Sequence, residues 1–227
     1  MCFFKGDESS MDRVKTLKWL KERNIVLEEG FTVVLRKYAE TYQKEQGIRR
    51  LEEVYHLLGT SRQNVAFWEK NPCSTHTKKL KYQVVRNATT LFYLTEQEAE
   101  ALANKTGLTL YSGKSFACEL EQLLQKYAIK GSVCYKKANV SERMYQYIAK
   151  GRNPTKETAL ALCLSFDLSL AEIELLLKAG GYVLSKALPN DMVIFFLVTH
   201  PEECKGPLVF YINEVLQELQ MPLLMTR

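Results

Sequence analysis

"GTSRQNVAFWEKN" (residues 59–71) and "NVSERMYQYIAKG" (139–151) share few letters but the same order of residue types. Each opens on a residue that tolerates left-handed backbone, Gly59 or Asn139. Next comes a β-branched residue, Thr60 or Val140, and then a serine, Ser61 or Ser141, a favoured N-cap that predicts a helix start. Before the first stretch lies "LEEVYHLLG", itself helical in pattern, so the reading is helix, tight turn, helix. Val54, Leu57, Leu58, Val65 and Trp68 are expected to form the shared apolar contact of the first device. Val133, Ala138, Val140, Tyr145 and Ile148 are expected to fill the second.

The duplication extends beyond these stretches. "GFTVVLRKYAETY" (30–42) parallels "SFACELEQLLQKY" (115–127), and "LTEQEAEALANKTGLTL" (94–110) parallels "LSLAEIELLLKAGGYVL" (168–184). Three blocks in the same order make chance a poor explanation. The expected fold is all-α, with two tandem five-helix bundles and helices at either end. The expected division is 1–30 as a leading segment, 31–112 and 113–186 as the bundles, and 187–227 as a helical extension. Residues 10–24 predict a helix with Val14, Leu17 and Leu20 on one side. Leu208, Tyr211, Ile212, Val215, Leu216 and Leu219 form a stripe that predicts a helix and a contact surface at 207–219, for a homodimer or a protein partner.

A hydrophobic fraction of 46% and a charged fraction of 25% are ordinary for a globular chain, and the formal charge of +5 permits a polyanionic partner without requiring one. The longest apolar run, "MVIFFLV" (192–198), is far too short for a membrane span, so no membrane association is expected. The six cysteines form no C-x-x-C pair, which suits reduced thiols and a cytoplasmic location. His56, His76 and His200 lie far apart and make no metal-ligand spacing. There is no phosphate-cradling glycine loop and no nucleophile elbow. Cys73 and His76 are the nearest approach to a reactive pair. Neither catalysis, a metal nor a cofactor is expected.

The helix–turn–helix pattern, with Gly59-Thr60-Ser61, Val65, Trp68, Glu69 and Asn71, resembles the DNA-binding motif of the phage Cro and repressor family. In the second copy "KGRNP" (150–154) and the "TKETALALCLSFDLSLAEIELLL" that follows resemble the same family's loop and last two helices. The resemblance covers about 31–111 and 116–184. It implies repressor-like bundles, double-stranded DNA as partner and a role in transcription regulation of bacterial or phage type. It further implies base contacts from the second helix of each motif, whose exposed N-terminal side chains enter the major groove. By position these are Arg62, Gln63, Ala66 and Phe67 in the first copy, and Glu142, Arg143, Gln146 and Tyr147 in the second. Lys70, Lys78, Lys79 and Lys81 are the matching backbone anchors in the first copy, and Lys150, Arg152 and Lys156 in the second. A tandem reader with two different faces is expected to prefer an asymmetric site.

Where the family places a small residue at the helix crossing, this chain has Tyr55 and Tyr135, which predicts a repacked crossing. These tyrosines, with Phe67, Tyr147 and Glu142, support an alternative: a protein-interaction module on a bundle that no longer reads DNA.

Overall fold

The structure, a computed structural model, describes residues 8–74, 77–110, 113–166, 168–204 and 206–224. Among the described residues the fold is all-α, with thirteen α-helices and no strand. α1 spans Glu8–Glu22. Then come α2 (Phe31–Glu45), α3 (Leu51–Leu57), α4 (Arg62–Lys70), α5 (Lys78–Leu91) and α6 (Glu96–Asn104). A second set of five follows: α7 (Phe116–Lys126), α8 (Gly131–Lys137), α9 (Glu142–Ala149), α10 (Lys156–Cys163) and α11 (Leu170–Ala179). α12 (Pro189–Thr199) and α13 (Leu208–Glu218) complete the chain.

The two sets of five use the same local chemistry at the same places. The Ser61 side chain accepts from Asn64 N at 3.2 Å and the Ser141 side chain from Met144 N at 3.3 Å, capping α4 and α9. Gly59 (φ +74°) and Asn139 (φ +54°) both take the left-handed conformation. Behind them the amides of Thr60 and Val140 donate to the carbonyls of Tyr55 and Tyr135, both at 2.9 Å, which closes the preceding helix. Thr95–Glu98 and Ser169–Glu172 form matching capping boxes at the starts of α6 and α11.

The chain divides into two compact units, and the boundary differs from the expected one. One unit holds Val26–Leu110 with Leu184–Met192; the other holds Met1–Ile25, Tyr111–Val183 and Val193–Arg227. The ends are therefore not separate pieces, since α1 and α13 belong with the second set of five helices. A lone helix of this length is marginal in water, and burial of an apolar face is what stabilises it. α1 buries Thr16 and Leu20, with Trp19 edge-on to Phe196 at 5.5 Å. Val14 and Leu17, expected beside Leu20, are exposed instead. α13 buries Val209, Ile212, Val215 and Leu216 inside the unit, and Leu219 follows. The contact surface expected at 207–219 is thus used internally. Asn213 pins the end of the chain there, exchanging hydrogen bonds with the Leu224 carbonyl at 2.9 Å and amide at 2.7 Å.

In the first unit Phe31, Leu35, Val54, Tyr55, Leu58, Val65, Trp68 and Val84 share one core. Leu57, expected inside, is exposed, and Tyr55 is buried. In the second unit Val133 is likewise exposed while Cys134 and Tyr135 are buried; Ala138, Val140 and Ile148 are buried as expected. At 100° per residue, one position separates Val133 from the buried Cys134 and two separate Leu57 from the buried Tyr55, enough to turn each expected residue outward.

Candidate nucleic-acid interface

α4 owes its placement to Val65 and Trp68, which are buried and turn the rest of the helix outward. Arg62, Gln63, Ala66, Phe67 and Lys70 form its exposed side, with Phe67 44% exposed. α9 is held by Ile148 in the same way. Glu142, Arg143, Gln146, Tyr147 and Lys150 are exposed, Tyr147 to 40%, and Arg152 is exposed just beyond. All eight side chains expected to meet bases therefore face outward.

The anchors divide. Lys70, Lys79, Lys150 and Arg152 are exposed, and Lys78 and Lys156 are half-buried. Lys81 is the exception: only 3% of it is exposed, so it cannot meet a phosphate. Its Nζ donates to the Pro72 carbonyl at 2.9 Å, tying the long link after α4 to helix α5. Burial pushes its pKa down to about 8. Cys73 on that link donates to Asn190 Oδ1 at 3.4 Å, while His76 lies outside the described residues.

The two devices differ in what surrounds their arginines. In the first, Arg62 pairs with Glu52 at 3.2 Å and Arg36 of α2 with Glu69 at 3.1 Å; Arg36 also hydrogen-bonds the Tyr55 side chain. A cleft of about 620 Å³ between α2, α3 and α4 is lined by these groups and Arg50. In the second device Arg143 turns onto its own helix. Its Nε donates to the Tyr147 hydroxyl at 3.1 Å, and its guanidinium carbon lies 5.7 Å from the ring centre. Arg152 lies 5.9 Å from the same ring, so two guanidiniums flank one exposed tyrosine.

The two crossing tyrosines are packed inside their units, and the detail was invisible in the sequence. Tyr55 and Tyr135 are both buried. The Tyr135 ring lies 5.4 Å from that of Tyr145, and Tyr145 covers Gly131, the first residue of α8. In the first unit Leu51 and Val65 hold the corresponding places. A large–medium pair and a glycine–tyrosine pair are two ways of filling one gap.

Sequence reasoning missed Glu52 and Glu69 as partners of the arginines, because both contacts are made between different helices. It also passed over Lys130, Lys136 and Lys137, exposed on α8 or its cap. Their signal was legible as three lysines within the eight residues 130–137 that open the second device.

No family model, curated protein or solved structure matches the chain. Among the described residues no helix is long and apolar enough to cross a membrane. Among the described residues no group of three His, Cys, Asp or Glu side chains is placed to hold a metal ion.

Proposed function

We propose that this protein binds double-stranded DNA through its helix–turn–helix devices and regulates transcription in the manner of bacterial and phage repressors. The observation that carries this reading is the outward face of α9, where Arg143, Gln146 and Tyr147 follow a capped N-terminus, with Lys150 and Arg152 beside them. Arginine can fork to guanine O6 and N7, glutamine to adenine N6 and N7, and a tyrosine ring can meet a thymine methyl. Lysines at the rim supply the phosphate contacts that dominate affinity and make it salt-dependent. Glu142 works against phosphate proximity and selects where the helix N-terminus can sit.

The second reading, an interaction module, is favoured by one feature: Phe67 and Tyr147 are large exposed rings on otherwise polar helices. Binding of a library of random duplexes of about 40 base pairs, at 50 and 200 mM salt, separates the two. Retained duplexes sharing a sequence support the regulator. A chain that retains none at either salt acts through protein contacts instead.

A further inference from the structure

Resting on the DNA-binding reading, we infer that the second helix–turn–helix device alone supplies the DNA contact and that the first is electrostatically closed. From the cap of α8 to the cap of α9 the second device carries Lys130, Lys136, Lys137, Arg143 and Lys150 against the single acid Glu142. Over the matching stretch the first device carries Arg50, Arg62 and Lys70 against Glu52, Glu53 and Glu69, and is neutral. Continuing to the next helix adds Lys78 and Lys79 to the first, and Arg152, Lys156 and Glu157 to the second. The second stays ahead by three charges.

Geometry deepens the difference. Glu52 and Glu69 do not merely lie nearby; they hold Arg62 and Arg36 at 3.2 and 3.1 Å. Exposed pairs of this kind contribute little to stability, yet they set a negative charge beside each guanidinium where a phosphate or base edge would have to come. Among the described residues the structure records no carboxylate within hydrogen-bonding distance of Arg143; its neighbour is the Tyr147 ring, and the Arg152 guanidinium lies 5.9 Å from the same ring centre. A ring approached by two cations keeps both near the groove while offering an apolar edge to a thymine methyl. Four phosphate contacts amount to about 10²-fold in affinity between 50 and 200 mM salt, and a neutral device has no such reserve.

The test uses the full chain in three forms: unaltered, R62A/K70A in the first device and K150A/R152A in the second. Random duplex DNA and the enriched sequence are titrated across salt, with circular dichroism and melting temperature checked for each form. The expected result is a loss of about tenfold or more for K150A/R152A, with the salt slope falling by about two, against less than about threefold for R62A/K70A. R143A/Q146A, which removes base contacts and only one charge, is expected to abolish preference for the enriched sequence. Equal losses from the two devices, or a larger loss from the first, overturn the inference while leaving DNA binding intact. Failure of the unaltered chain to bind any duplex overturns both.

Discussion

Tyr145 closes over Gly131: a β-carbon on that glycine would lie 2.8 Å from Tyr145 Cζ, closer than side chains approach. Glycine is otherwise costly inside a helix, by roughly 1 kcal/mol relative to alanine. Its place here is explained by the ring above it. In the first unit the equivalent pair is Leu51 and Val65. G131L alone is therefore expected to destabilise by about 1–3 kcal/mol through overpacking. G131L/Y145V, which copies the first unit, is expected to recover most of that loss. Urea unfolding of the two single variants and the double gives the coupling; additive effects would show that the two sites do not share one gap.

The serine caps give a second prediction. S61A and S141A each remove the side-chain acceptor for an amide in the first turn of an outward helix. Each is expected to cost about 1 kcal/mol, while S61D and S141D retain stability because aspartate caps equally well. Denaturant midpoints at pH 7 decide this. A loss with aspartate equal to that with alanine counts against the capping role.

Glu172 makes acid sensitivity local. The Lys126 ammonium, the Ser169 hydroxyl and amide, and the Tyr127 hydroxyl all hydrogen-bond its carboxylate, and hold its pKa down at about 2. An unfolded glutamate titrates near pH 4.3, so between those values the unfolded chain binds more protons. The stabilisation is present above about pH 5 and is lost as pH falls toward 2. E172Q is expected to melt below the unaltered chain at pH 7, with the two converging by about pH 2. Curves that stay parallel throughout contradict the assignment.

Lys81 is also shifted downward, but here the charged form is the one that destabilises the fold. Its folded pKa of about 8 lies below that of an unfolded lysine, near 10.4, because burial disfavours the ammonium. Below pH 8 the full cost of the buried charge is present, roughly 3 kcal/mol by linkage, and it is relieved as pH rises toward 10. K81M is expected to lack that rise. The difference between the two chains' unfolding free energies, followed from pH 7 to 10, isolates it from the other titrating groups. A constant difference would show that Lys81 titrates normally.

The thiols provide a last check. Cys118 is exposed, while Cys134 and Cys163 are buried and burial pushes both their pKa values up. A thiolate-selective reagent is expected to label Cys118 in the native protein and the other two only on unfolding. Native labelling of Cys163 before Cys118 would mean that the core around α10 is open.

What the sequence determined was local: helical periodicity, serine caps, left-handed Gly59 and Asn139, and the order of the repeated blocks are written in neighbouring residues. Hydrogen bonds within four or five positions realise them, so they could be read directly. Tertiary structure decided which apolar residues turn outward, Leu57 and Val133, and that Cys134 goes inside. It also withdrew Lys81 from the surface, placed the α13 stripe inside a unit and set Glu52 and Glu69 against the arginines. Each of these depends on a neighbour from another helix. Such a partner is near in space but arbitrary in sequence distance, so periodicity along one helix carries no record of it.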